Sequence, residues 1–213
     1  TASICKGKDK KIELLKELHF PHSVGLLYSA FTYYLGFRVN SGEYKLMGLA
    51  PYGNESSNET DSFIRKIKSK IVDIKFDGSI FLNQEYFKYT YGLRMIKENR
   101  FEKLFGLKTR NEQDKITQTH CNMALAIQRV TEEIVIKMVK ETKRLTKAKN
   151  LCLSGGVALN CVANGKIEDL KIFDKIYIQP ASGDAGGSLG SALAVNHMYF
   201  DKKRIYTKLL EIL

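Results

Sequence analysis

The apolar positions of the chain change period several times, and each change marks an element. Residues 1–20 alternate apolar with polar or small, which reads as two strands joined by the polar turn Lys6 to Lys11. The second strand, Ile12 to Phe20, carries Ile12, Leu14, Leu15, Leu18 and Phe20, and Pro21 stops it. Val24, Leu27, Tyr28, Phe31 and Leu35 then recur at the spacing of a buried helix face, which Gly36 can end. Ser41 is placed to cap a further helix with Glu43 and Tyr44 in its first turn, closed by the turn Pro51-Tyr52-Gly53-Asn54. Asn54 to Asp61 is polar and predicts an exposed loop; Phe63 to Ile71 predicts a short basic helix. Val72, Ile74 and Phe76 alternate, Asp77-Gly78 is a hairpin turn signal, and Ile80 and Leu82 alternate again. That hairpin, within residues 72–90, also fits a surface insertion. Residues 97–106 predict a small helix and 107–114 a polar linker.

The longest periodic element starts near Asp114 or Thr117 and runs to Thr146, with Met123, Ile127, Val130, Ile134, Met138 and Leu145 on one face. Asn150 to Leu153 then reads as a strand, Ser154-Gly155-Gly156 as a tight turn and Val157 to Leu170 as a helix. Phe173 to Ile178 is a second strand and Ala185 to Phe200 a final helix. A strand–helix–strand crossover of this length makes the two strands parallel neighbours.

Composition narrows the class. With 213 residues and 44% hydrophobic content the chain can bury a globular core. No run of roughly 18 apolar residues is present, so no segment is expected to span a bilayer. Its start lacks a secretory h-region and an initiator methionine, and Thr1 to Ile4 reads as part of a strand; the expectation is a piece of a longer protein. Four cysteines, Cys5, Cys121, Cys152 and Cys161, form no C-x-x-C pair and read as reduced, buried thiols of a cytoplasmic protein. The formal charge of +11 raises a nucleic-acid surface. However, Lys137, Lys140, Arg144 and Lys147 share a helix interrupted by Glu132, Glu133 and Glu141, with no interleaved aromatics. That pattern favours a solvated face, or one that meets another domain, over nucleic acid.

Two glycine-rich turns carry the candidate chemistry. In the first, a strand delivers the chain to Gly155 and Gly156 and a helix follows, so a phosphate or nucleoside can approach backbone N–H groups and a helix N-terminus. The alternative is a tight turn with no ligand. In the second, Gln179-Pro-Ala-Ser-Gly-Asp184-Ala-Gly-Gly, Asp184 is either a ligand or an N-cap, and Gly186, Gly187, Gly190, Ser191 and Ala194 allow close helix packing. Both turns follow parallel strands and so open on one sheet edge, where open α/β sheets bind ligands. Elsewhere, Glu43 can accept from ribose hydroxyls and Lys45 can meet phosphate or carbamoyl oxygens, or the two are a helix-start glutamate and a surface lysine. His19 and His22 flank Phe20-Pro21 and read as structural; His120 and His197 show no partner pattern.

The segments Phe20 to Phe37, Val39 to Gly53, and Asn150 to Asn164 with Ile178 to Ala194 resemble the nodulation- and antibiotic-type O-carbamoyltransferases. The resemblance implies an α/β actin-like ATPase (ribonuclease-H-like) second lobe over residues 1–213, with a helical and hairpin insertion at about 54–115. It implies an ATP-dependent transfer of a carbamoyl group from carbamoyl phosphate, through carbamoyl-adenylate, to the hydroxyl of a small-molecule or sugar acceptor. By the same resemblance, Ser154, Gly155, Gly156, Asn160 and Gly183 lie at the nucleotide, Asp184 ligates a divalent metal ion (iron, zinc or magnesium), Glu43 is a candidate sugar-binding residue and Lys45 a candidate catalytic residue. The family's H-x-x-x-H metal pair, its first lobe and its adenylate-forming C-terminal domain have no counterpart in this sequence, so these are expected partners from the same protein, and the chain alone is expected to be inactive. A homodimer is compatible. A related family that transfers threonylcarbamoyl to tRNA, and a non-catalytic nucleotide-binding module, are the alternatives.

Overall fold

The computed structural model describes residues 1–203; the last part of the domain assigned to 1–213 lies outside the described residues. The N-terminal alternation folds as the antiparallel pair β1 (Ala2–Lys8) and β2 (Lys11–Leu18), with a bulge at Ile4/Cys5. Helix α1 (Val24–Tyr34) starts at Ser23, whose Oγ accepts from Leu26 N, and ends at Leu35 before Gly36, φ +74°. A Cβ at Gly36 would lie 2.5 Å from Arg110 O, so this stop needs glycine for conformation and for space.

Helix α2 (Glu43–Leu49) differs from expectation at its start. Gly42, not Ser41, is its N-cap, because the Glu43 carboxylate itself accepts from Asn40 N and Gly42 N. The expected loop Asn54 to Asp61 is a loop only as far as Ser57; its second half is helix. Ser57 Oγ accepts from Glu59 N and starts α3 (Asn58–Lys66), which runs on as a π-helical turn, Ile67–Ile71. Strands β3 (Val72–Ile74) and β4 (Ile80–Leu82) form the expected antiparallel hairpin, but not as a surface appendage. Val72, Ile80 and Leu82 are buried, and a Cβ at Gly78 would meet Met138 N at 2.4 Å. His22 has the structural role expected of it: its Nδ1 accepts from Leu82 N at 3.0 Å.

Helix α4 (Glu98–Phe105) ends at Gly106, φ +71°. The expected linker 107–114 contains a buried arginine: Arg110 Nε donates to Leu35 O, and its Nη1 donates to the carbonyls of Asn111, Glu112 and Asp114. One cation thus satisfies the carboxyl end of α1 and shapes the approach to the next helix. That helix, α5 (Gln118–Thr146), begins where His120 Nδ1 accepts from Thr117 N. The main core lies between α1, α3, the hairpin, α4 and α5, around a cluster of tilted and edge-to-face aromatics: the Phe101 ring centroid sits 5.2 Å from Tyr34, 5.5 Å from Phe31 and 5.6 Å from Phe105. Residues 54–115, expected as an insertion, supply much of this core.

The last third forms the expected βαβ unit. Strand β5 (Asn150–Leu153) pairs in parallel with β6 (Lys175–Ile178). Between them the chain makes a 3₁₀ turn, Gly156–Leu159, before α6 (Cys161–Asp169), so the expected helix from Val157 starts later, at the cap Asn160. Val139 of α5, Leu151, Ile167 and Phe173 form a second, smaller core. Helix α7 (Gly186–Ala194) follows, then a π-helical turn, Val195–Tyr199. No residue of α7 is buried, and a Cβ at Gly187 or Gly190 would meet nothing within 4 Å.

Among the described residues the strands make three separate two-stranded sheets, a mixed α/β architecture. The cysteine expectation is corrected: only Cys121 is buried, whereas Cys5, Cys152 and Cys161 are exposed, all as free thiols. Cys152 alternates outward on β5, opposite in facing to the buried Leu151. No helix among the described residues is long and apolar enough to cross a membrane.

Candidate functional site

Parallel pairing puts the carboxyl ends of β5 and β6 side by side, and the two glycine turns leave from those ends. They are joined directly: Gly155 N donates to Ser182 O at 2.7 Å, and Gln179 N donates to Leu153 O at 3.3 Å. Gly155 has φ +97°, a conformation few other residues adopt, and a Cβ on Gly155, Gly156 or Gly183 would meet nothing within 4 Å. The backbone of both turns therefore faces open space, as close approach by a ligand requires. Ser154 lies in the first turn.

Asp184 sits on the second turn with an exposed carboxylate, and it does not cap α7: the N-cap is Ala185, without a side-chain hydrogen bond. Tight packing there falls instead on Gly186, where a Cβ would lie 2.3 Å from Ala181 O. No group of three or more His, Cys, Asp or Glu side chains able to hold a metal occurs among the described residues. Asp184 offers one oxygen-donor group, fewer than a bound divalent ion requires, so these residues do not by themselves fit a metal centre.

Helix α2 comes to the site edge-on. Met47 Sδ lies 3.8 Å from Cys161 Sγ, at the first residue of α6. Glu43, one turn earlier on the same face, is held inward: Oε1 accepts from Ser29 Oγ at 2.7 Å and Asn40 N at 2.9 Å, and Oε2 from Gly42 N at 3.2 Å. This ties α2 to α1 and leaves Oε2 as the oxygen with acceptor capacity to spare. Lys45 is exposed and lies two residues from both Glu43 and Met47, roughly 200° around the helix, on the side away from Cys161. The structure thus brings the two glycine turns together, sets Glu43 beside α1, and directs Lys45 elsewhere.

Asn160 is buried under the first turn, where its Oδ1 accepts from Ala163 N at 3.0 Å and caps α6. Behind it, α1 contributes Tyr28, whose phenol is kept protonated well above its ordinary range by burial and, to a lesser degree, by the neighbouring carboxylates of Glu132 and Glu43. Sequence reasoning missed the polar groups of α5 that meet Asn160. Their one visible signal was the pair Gln128 and Glu132, four apart, adjoining the apolar stripe of Ile127, Val130 and Ile134. The cavities of about 490 Å³ beside α7 and about 480 Å³ around Lys88, Tyr91, Arg94 and Lys97 both exclude the glycine turns.

Residues 1–193 match the family model described as carbamoyltransferase N-terminus. An uncharacterized Synechocystis protein, sll1178, is 47% identical over 208 residues, which are 98% of this chain and 33% of that protein. The nodulation protein NolNO of Sinorhizobium fredii is 31% identical over 193 residues, 90% of this chain and 25% of its own length. A tRNA N6-adenosine threonylcarbamoyltransferase of Ureaplasma urealyticum is 29% identical over 193 residues, 82% of this chain and 59% of its own. The chain spans a third of the first relative and a quarter of the second. With nine-tenths of its length under one family model and the paired glycine turns inside the matched span, this chain belongs to the carbamoyltransferase N-terminus family.

Proposed function

We propose that the chain is the nucleotide-holding part of an ATP-dependent O-carbamoyltransferase with an actin-like, ribonuclease-H-like ATPase fold. In the whole protein a carbamoyl group would pass from carbamoyl phosphate, via carbamoyl-adenylate, to the hydroxyl of a small-molecule or sugar acceptor. Family membership supports the transferase class. The observation that carries the nucleotide reading is the pair of glycine turns at the ends of parallel strands, joined by the bond from Gly155 N to Ser182 O and open above Gly155, Gly156 and Gly183.

In this reading Ser154, Gly155, Gly156 and Gly183 line the adenylate, and the N-terminus of α6 faces its phosphate. Asn160 acts from beneath, by holding that helix start. Glu43 keeps an Oε2 lone pair available for a sugar hydroxyl while its other bonds fix α2. Asp184 supplies at most one ligand to a divalent ion completed by groups outside the described residues. Lys45, as a contact to phosphate or carbamoyl oxygens, requires the ligand to extend around α2.

The test is titration of the whole protein with ATP by calorimetry, beside a turnover assay with carbamoyl phosphate and a hydroxylated acceptor. Gly156→Val is expected to weaken ATP binding by on the order of tenfold or more, because a branched side chain fills the space over the turn. Wild-type affinity and turnover in that variant would remove the nucleotide assignment. Asp184→Ala is expected to abolish any metal dependence of binding; a non-catalytic nucleotide module would bind ATP equally without metal. The charge of +11 and the tRNA-modifying relative favour one further reading, RNA contact. It requires salt-sensitive tRNA retention in a shift assay.

A further inference from the structure

Beneath the first glycine turn lies a buried chain of side-chain hydrogen bonds whose direction is fixed at one end. Gln128 of α5 is 2% exposed and uses its whole amide. Its Oε1 accepts from Tyr28 Oη at 2.8 Å and from Asn160 Nδ2 at 3.1 Å. Its Nε2 donates to Glu132 Oε1 and to Asn160 Oδ1, both at 3.1 Å. A primary amide offers two donors and two acceptor sites, so all four are taken.

The polarity of this chain is dictated by Glu132. A carboxylate set among cations only accepts, and Glu132 Oε2 already takes bonds from Lys166 of α6 and from Arg129 Nη1 at 3.4 Å, which leaves Oε1 to face Gln128 as an acceptor. Nε2 of Gln128 must therefore face Glu132, and Oε1 must face Tyr28. The reciprocal amide pair then forces Asn160 to present Oδ1, not Nδ2, to Ala163 N. A flipped Asn160 would set N–H against N–H at the start of α6. The same start carries the 3₁₀ turn from Gly155, through the bonds Ala158 N to Gly155 O and Asn160 N to Val157 O, both at 3.0 Å.

We propose that Gln128 is a positioning residue, which transmits the acceptor polarity of Glu132 to Asn160 and so holds the Gly155–Gly156 turn and the α6 N-terminus in their ligand-ready form. Its use for nucleotide binding rests on the function proposed above; its hold on the turn does not. Gln128 touches no ligand and acts only through Asn160. Gln128→Met keeps length and apolar packing but deletes both halves of the amide pair, leaving the cap free to rotate.

The experiment has two readouts on the whole protein. Hydrogen exchange without ligand is read at residues 158–164, and the ATP dissociation constant by calorimetry. Tyr34→Phe, which loses the bond to Leu107 O in the main core, serves as a stability control remote from the turn. Gln128→Met is expected to speed exchange at 158–164 and to weaken ATP binding, each by on the order of tenfold, the scale of a lost buried hydrogen-bond pair. Asn160→Asp, which can still accept from Ala163 N and Gln128 Nε2 but sets its second oxygen against Gln128 Oε1, is expected to show protection between that of the wild type and that of Gln128→Met. Tyr34→Phe is expected to lower the melting temperature without either local effect. Exchange at 158–164 in Gln128→Met no faster than in Tyr34→Phe overturns the proposal. If wild-type protein binds no ATP while Gln128→Met still loosens the turn, the nucleotide reading falls and the positioning role stands.

Discussion

At the scale of single residues, several side chains of ordinary type derive their role from one partner. His120 has no motif around it in sequence, yet its Nδ1 accepts from Thr117 N and starts the longest helix. Burial, aided by the Arg110 guanidinium and opposed by Asp114, lowers its imidazole pKa from the ordinary 6.5. The fold favours neutral His120, so its contribution is complete above that ordinary value and is lost as pH falls through the lowered one. Exchange at the first turn of α5 should rise as the solution is acidified below pH 6.5, and His120→Asn should flatten that response. An unchanged pH profile in the variant would count against this capping role. Gly155, at φ +97°, gives a second case. Gly155→Ala should cost roughly 1–2 kcal/mol of stability in chemical denaturation, because an L side chain is strained there even where space is open. A neutral effect would mean that the turn relaxes to another conformation. The glycine was legible in sequence; the role of His120 was not, since a histidine replaces the usual Glu or Gln of a capping box.

At the scale of elements, a cluster of charges ties the N-terminal hairpin to α5 and to the β3–β4 turn. Lys16 of β2 bonds Glu141 of α5 at 2.7 Å and Asp77 of the β3–β4 turn at 2.9 Å. Arg144 donates to both oxygens of Glu141. Those hydrogen bonds, Arg144 first and then Lys16, hold the Glu141 pKa down at about 2, and Ser79 with Lys16 holds Asp77 well below the carboxylate range. Carboxylates with depressed pKa values stabilise above their unfolded values and lose that contribution as pH falls. Docking of β1–β2 should therefore weaken from about pH 4.5 down to about pH 2. Limited proteolysis across that range should cut at 1–20 first, and Lys16→Met should shift cutting to neutral pH. Equal resistance of the variant and the wild type would show that apolar contacts such as Leu18 suffice. Strand, turn and hairpin signals located these elements well from sequence. Their docking was hidden, because an exposed lysine and a turn aspartate read as solvated charges until the fold sets them against α5.

At the scale of the whole molecule, one aromatic core joins segments that the sequence divides. Phe101 of the supposed insertion is fully buried against Phe31 and Tyr34 of α1. Phe101→Ala should cost about 3–5 kcal/mol, a large share of the stability of a single domain. A loss below about 1 kcal/mol in urea unfolding would mark residues 54–115 as a separable unit. The βαβ unit has its own small core, and its glycine turns meet the larger core through Tyr28, Gln128 and Asn160. The candidate site is therefore supported from α5, far from its own residues in sequence.

The sequence by itself determined the order and type of most elements, the parallel pairing of β5 with β6 and the family. These follow from local periodicity, turn chemistry and long motifs. Only the tertiary structure decided that Asn160 is a buried cap, that Glu43 is tied to α1 and that Lys45 lies on the far side of α2. It also decided that Gln128 sets the direction of the network beneath the turn. A donor and its acceptor 32 positions apart leave no periodic trace in the chain, so their pairing exists only once α5 and α6 have packed.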